Sequence, residues 1–271
     1  MKNYLLIAVA LLLLSACNQN QTNAGANGQD TSQVTADTVT YTMKSFFKTS
    51  DECKTDTCAA YVAAKYPVFV KNNDLNDFVL EITTPAPFKE DPTESIEVSA
   101  DSFINEYINY RKEFPDSPAG YHWDQTLIVT QQDKDVISFK HVNYAYTGGA
   151  HGMQTTLFHN LYQSGYKKIS LKDILNRNYD AELTKIGEAI FRKNEGLKAT
   201  DPLDGYFFEN QQFVLNDNFL ITPKGLLFLY NQYEIKAYAF GTTELLIPYT
   251  AIKDLIAADG VLAKYKIDAG I

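Results

Sequence analysis

The chain has 271 residues, 45% of them hydrophobic and 21% charged, which is ordinary globular composition and excludes a wholly disordered chain. The 33 acidic residues outnumber the 24 basic ones, and the net charge of -9 argues against a nucleic-acid partner, which needs a basic face to neutralise phosphates. Three cysteines are too few for a disulfide-dense miniprotein.

Lys2 precedes an apolar run over residues 4–14, followed by Ser15, Ala16 and Cys17. Eleven helical residues span about 16 Å, too short for a bilayer core of about 30 Å. The run reads instead as the apolar part of a signal peptide, residues 1–16. Leu14-Ser15-Ala16-Cys17 resembles the bacterial lipobox, which implies cleavage before Cys17 and a lipid on its sulfur. An ordinary secretory signal is the competing reading. Two or three acyl chains anchor stably where one does so marginally. The lipid makes the membrane a partner and places the chain in the cell envelope. In a Gram-negative cell, Asn18 in place of Asp after the cysteine points to the outer membrane, facing the periplasm.

Residues 17–39 are rich in Asn, Gln, Thr, Gly and Ala and lack aromatics, so they read as a flexible tether reaching roughly 25 Å r.m.s.. At its end, Val39 to Thr42 begins an alternating strand-like pattern. Cys53 and Cys58, an even pair in a polar loop outside the cytoplasm, read as a disulfide closing a short loop; free thiols and a metal site are the alternatives. No metal or other cofactor is expected.

Residues 61–69 read as a strand whose proline suits an edge or a bulge. Residues 74–83 read as a helix capped by Asp74, with Leu75, Phe78, Val79 and Ile82 on one face. After the Asp91-Pro92 break, Ser99 or Asp101 caps a second helix running to Phe114, with Phe103, Tyr107, Tyr110 and Phe114 as a core stripe. Residues 123–132 and 135–146 form a hairpin. Gly148-Gly149 makes a turn that needs positive φ. Residues 155–162 and 166–169 are strands, Ser170 to Asp173 is a capping box, and residues 180–195 are a helix ended by Gly196. Short strands follow at 219–222, 225–230, 234–239 and 244–248, then a last helix at 250–258. This pattern is α+β: antiparallel sheets packed with a few helices, in two small, intimately associated domains.

Tyr146-Thr147-Gly148-Gly149-Ala150-His151, then Gly165 to Leu175, Phe219 to Leu226 and Tyr233 to Tyr249, resemble the C-terminal domain of RsiV-like anti-sigma factors and PdaC-like peptidoglycan deacetylases. The stretch from about Cys53 to Tyr144, with Tyr66-Pro67-Val68-Phe69, resembles the smaller domain before it. The resemblance implies domains at 40–145 and 146–260. In RsiV-like proteins this pair is the extracellular receptor for lysozyme. In the deacetylases it precedes a separate catalytic domain. Neither that domain nor a sigma-binding segment is expected here. The resemblance implies a lipid-tethered module binding lysozyme or a peptidoglycan-derived ligand, with Tyr233, Tyr238, Phe240 and His151 as contact residues. Many members carry Pro where this chain has Ala237.

No Gly-x-Ser-x-Gly elbow, His-Glu-x-x-His helix or phosphate-cradling loop occurs, so no catalytic residues are assigned and no enzyme is expected. His151 after two glycines is the most suggestive residue for acid–base chemistry; its bland role is to fix the turn. His141 reads as a partly buried strand histidine, and His122 and His159 carry no signal. Asp201/Asp204 and Asp116/Asp124 are solvated acidic pairs. Tyr206-Phe207-Phe208 with Phe213 reads as core, with a grip on a partner as the alternative. A structural envelope lipoprotein without soluble ligand is the second functional reading, and a glycan hydrolase the third.

Overall fold

A computed structural model of the chain describes residues 38–50, 60–84 and 95–268. The expectations for Cys17, the Cys53–Cys58 pair, the signal peptide and nearly all of the tether lie outside the described residues. The described residues fall within one compact unit, Val34–Ile271.

A five-stranded sheet runs in chain order: β1 (Tyr41–Thr49), β2 (Ala60–Phe69), β3 (Tyr121–Gln132), β4 (Val136–Tyr146) and β5 (Met153–Tyr162). Neighbours are antiparallel except β2 and β3, which are parallel. Between these two, α1 (Asn73–Thr83) and α2 (Ile96–Glu113) carry the chain back, as a parallel pair requires. The architecture is the expected α+β arrangement with one parallel pair added. Both helices cover one face of the sheet. Leu75 and Val79 of α1 meet Phe69, Leu127 and Phe139, while Phe103 and Tyr107 of α2 meet Val62 and Trp123.

Several boundaries differ from the sequence reading for local reasons. Asn72, not Asp74, caps α1, its side chain accepting from the Leu75 N–H at 3.1 Å. Helix α2 starts at Ile96 rather than after Ser99, because Ile96, Ser99 and Ala100 are themselves buried. Its stripe enters the core at Phe103 and Tyr107 but leaves it by Phe114, which is half-exposed. Strand β2 is interior, not an edge. Val70 N–H donates to Thr40 and Ser50 N–H to Ala60, so even-numbered residues of β1 bond to β2. Pro67 pairs with Met43 and therefore faces the β3 side, beyond Lys65 where the parallel ladder ends. Its missing N–H removes no ladder bond.

The second sheet is antiparallel, in the order β6 (Phe219–Thr222), β7 (Gly225–Tyr230), β8 (Thr243–Pro248). With α3 (Leu171–Ile174) and α4 (Tyr179–Asn194) it encloses a core that includes Ile174, Leu183, Phe191, Phe228 and Ile247. The Ser170–Asp173 capping box forms as expected. Gly225 is obligatory: a Cβ there would lie 2.2 Å from the Ile247 carbonyl oxygen across the ladder. Three expected elements are absent. Residues 166–169 make only an isolated bridge, Lys168 to Leu161, residues 234–239 form turns rather than a strand, and residues 250–258 hold only a 3₁₀ turn at Tyr249–Ala251, with Ile252 and Ile256 buried.

Asparagine side chains join the two sheets. The outer edge of β5 would otherwise expose unpaired backbone. Asn231 Oδ1 accepts from Thr156 N–H at 2.7 Å, and Asn218 Oδ1 accepts from Phe158 N–H at 2.8 Å. From β5 itself, Asn160 Nδ2 donates to the Phe219 carbonyl at 2.8 Å, and its Oδ1 accepts from Ile221 N–H at 2.9 Å. Amide side chains thus act as a sixth strand between the sheets. Elsewhere, Lys264 on α5 (Ala263–Asp268) bonds Asp133 and Asp135 in the β3–β4 turn.

A similar amide clamp marks the start of the fold. Gln132, at the end of β3, accepts from Val39 N–H through Oε1 at 3.1 Å and donates through Nε2 to the Val39 carbonyl at 3.2 Å. The chain therefore enters the sheet at the pole of the β3–β4 turn. The β4–β5 turn, with Gly148 and His151, lies at the opposite pole.

Candidate functional site

The Gly148–Gly152 turn joins β4 to β5. Gly148 and Gly149 adopt φ of 103° and 91°, as the sequence requires. The turn ends at Gly152, which is buried against Tyr144; a Cβ there would strike the tyrosine ring. His151 is exposed, and its Nδ1–H donates to the Gly152 carbonyl at 2.9 Å. Nε2 is then the acceptor, and the Tyr233 hydroxyl donates to it at 3.4 Å. Tyr238 stacks on the imidazole with centroids 3.9 Å apart and planes 17° apart, and its hydroxyl donates to the same Gly152 carbonyl at 3.3 Å. Tyr233 and Tyr238 are 5.6 Å apart.

The structure thus brings His151, Tyr233 and Tyr238 into one aromatic trio. Phe240 sits in the same 3₁₀ turn as Tyr238 (Tyr238–Phe240) and is 72% exposed. The turns that replace the expected strand at 234–239 carry this display. Tyr233 is left-handed at φ 68°, an uncommon conformation for a non-glycine residue.

The loop is braced from below. Ile235 is buried. Glu234 accepts from Asn231 N–H at 2.9 Å and from Asn216 Nδ2 at 3.1 Å. Lys236 Nζ meets Glu195 at 2.7 Å in a mostly buried pair, and the Tyr206 hydroxyl donates to the other Glu195 oxygen at 2.9 Å. Burial, reinforced by that carboxylate, pushes the Tyr206 hydroxyl up to about 12. Sequence reasoning missed Lys236 and Glu195, since a pair 41 positions apart leaves no local signal. Of the neighbouring aromatic run, Tyr206, Phe208 and Phe213 pack on Phe191 as core, whereas Phe207 is exposed.

Ala237 holds φ -61° and ψ 152°, which is the geometry a proline imposes. Its N–H donates to no acceptor among the described residues. Ala237→Pro is therefore expected to raise stability by about 0.4–1 kcal/mol through the unfolded chain, checked by urea denaturation.

The other histidines stand apart. His141 is buried and bonded to Gln125, as its strand position suggested, and His122 stacks on Tyr61 at 4.5 Å. Asp124 accepts from the Tyr61 hydroxyl. No group of three or more His, Cys, Asp and Glu able to hold a metal gathers among the described residues.

Fold and surface define a two-sheet α+β protein with a braced, surface-displayed aromatic loop. Residues 52–154 match the family model described as Deacetylase PdaC, and residues 172–250 match the one described as Protein of unknown function (DUF3298). A solved structure of a DUF3298 family member from Bacteroides fragilis superposes with a TM-score of 0.70 at 20% identity, covering 84% of this chain and 98% of that one. A DUF3298 family protein from Pseudomonas aeruginosa gives 0.62 at 18% identity, over 82% and 95%. At these identities the likeness is one of fold. The search of curated proteins returned no match.

Proposed function

We propose that this chain is a lipid-anchored binding module of the cell envelope, without catalysis, that recognises lysozyme or a peptidoglycan-derived ligand. Cys17 carries the lipid in this reading, and Cys53 and Cys58 pair. The observation that carries it is the aromatic trio of His151, Tyr233 and Tyr238 beside exposed Phe240. Rigid aromatics on a braced loop lose little entropy on binding and make effective interface anchors.

The test is calorimetric titration of residues 34–271 with a c-type lysozyme at low and at physiological salt. Saturable one-to-one binding at both salts is expected, with an on-rate that falls as salt rises because the chain is acidic. Tyr238→Ala, which removes the ring stacked on His151, is expected to weaken binding by about 2 kcal/mol, or roughly thirtyfold. Unchanged affinity removes the loop from the reading. Absence of heat at both salts removes lysozyme and turns the titration to peptidoglycan fragments.

A further inference from the structure

Four turns, at residues 70–72, 133–135, 163–168 and 223–224, gather at the pole where the chain enters the sheet, and each carries lysine. Lys71 follows β2, Lys134 joins β3 to β4, Lys167 and Lys168 follow β5, and Lys224 joins β6 to β7. Direct contacts tie the turns together. Asn72 Nδ2 donates to the Tyr166 hydroxyl at 2.7 Å, and Gln163 N–H donates to the Asp135 carbonyl at 2.8 Å. The Tyr249 hydroxyl donates to the Thr222 carbonyl at 2.8 Å, and its ring stacks on that of Tyr265 with centroids 4.4 Å apart. Lys264, next to Tyr265, bonds Asp133 and Asp135, which are the only acids on the four turns. The five turn lysines are exposed, and none of them forms an ion pair among the described residues. Val70 beside Lys71 is 54% exposed, and Pro223 beside Lys224 is exposed as well, so two of the turns also present an apolar residue.

We propose that this pole rests on an anionic phospholipid surface, the lysines meeting headgroup phosphates and Val70 and Pro223 reaching the headgroup boundary. The proposal rests on the lipid-anchored reading and adds an electrostatic contact to the anchor. The chain as a whole carries a net charge of -9 and is repelled by such a surface. Five lysines on one pole make the attraction local, and a local attraction orients the fold. The pole is also the one nearest the anchor along the chain, since Gln132 holds Val39 there. The tether expected for residues 17–39 reaches roughly 25 Å r.m.s., which keeps this pole within range of the membrane. The His151 turn, at the opposite pole, is then held away from the lipid surface.

Co-sedimentation of the chain from Asn18 onward, which keeps every described residue and lacks the lipid-bearing cysteine, tests the proposal. The probes are vesicles of equal parts phosphatidylglycerol and phosphatidylcholine, and vesicles of phosphatidylcholine alone. Binding to the first and none to the second is expected, with loss as salt rises. A lysine near an anionic surface changes partitioning about fivefold. Lys167→Gln together with Lys168→Gln is therefore expected to weaken binding roughly 25-fold, and Lys224→Gln about fivefold. Lys198→Gln, exposed in the turn after α4, beyond the Glu195 that holds Lys236, is the control and should leave binding unchanged. No binding to the anionic vesicles overturns the proposal, as do equal binding to both vesicles and equal losses in the control and the turn variants. The anchor is tested apart, by labelling the whole chain with palmitate in a bacterial host. A labelled chain whose lipid-free form ignores anionic vesicles overturns the proposal and keeps the anchor. An unlabelled chain whose lipid-free form binds them keeps the lysine surface and removes the anchor.

Discussion

Asn160→Ala is expected to lower the unfolding free energy by about 4 kcal/mol, because several buried polar groups lose their partner at once. Asn160 is 2% exposed. Its Oδ1 accepts from Ile221 N–H and from the Ser138 hydroxyl, both at 2.9 Å, and its Nδ2 serves the Phe219 carbonyl. Truncation strands all three away from water and leaves a small void. Urea unfolding followed through Trp123, the only tryptophan and 2% exposed, reads the loss directly. Asn105→Ala, on the exposed face of α2, is the control and should change stability by less than about 0.5 kcal/mol. A loss at Asn160 no larger than the control's would mean that the amide links between the sheets are decoration rather than support.

The second large effect is on pH dependence. His141 and His159 lie on adjacent strands beneath α1, with ring centroids 6.3 Å apart. His141 Nε2–H donates to Gln125 Oε1 at 3.1 Å, and Gln125 Nε2 donates to the Thr83 carbonyl at the end of α1. His159 meets Phe78 of α1 edge-on, and its Nε2 is buried without a partner among the described residues. Burial pulls His141 down to about 4; burial, with His141 and Lys168 nearby, does the same to His159. Both are neutral when folded and titrate near 6.5 when unfolded. Their contribution is complete above about pH 6.5 and is lost as pH falls toward 4, by roughly 3 kcal/mol for His141 and less for the partly buried His159. Glu97, Asp133 and Asp173, held below the ordinary carboxylate range, lose their contributions only at lower pH. Denaturation at about pH 7.5, 6 and 5 therefore isolates the imidazoles. His159→Phe should flatten the slope toward a single proton, and a wild type of constant stability across this window would show that the rings are hydrated.

The sequence carried the hairpin of β3 and β4, the capping box at Ser170, the two positive-φ glycines and the amphipathic face of α1, because each rests on neighbours within a few positions. The parallel pairing of β2 and β3 was missed: only antiparallel sheets were expected, although two helices between two strands are the crossover that a parallel pair needs. The other misreadings share a different cause. Residues 234–239 alternate like a strand, yet Glu234, Ile235 and Lys236 are held by Asn216, the core and Glu195, all distant in the chain. Ile252 and Ile256 have helical spacing, but Ile256 is taken into a bridge with Leu175. Asn218 and Asn231 look like turn formers and Asn160 like one more strand residue; only the folded chain sets the first two amides against β5 and that of Asn160 against β6. At the candidate site, His151 and Tyr238 were singled out on resemblance and sequence position; their stacking across 87 positions could not be read from either.

The clamp at Val39 has a mechanical consequence. A pull on the chain ahead of residue 38 reaches the fold at the start of β1, while anything held at the His151 turn resists from the far pole. The load then runs along β1, across hydrogen bonds that lie perpendicular to it. Those bonds are strained together in shear rather than opened one by one. Any sideways component, which would unzip the strand from its first residue, falls first on the two bonds between Gln132 and Val39. A single glutamine thus sets the direction in which the folded part best withstands tension.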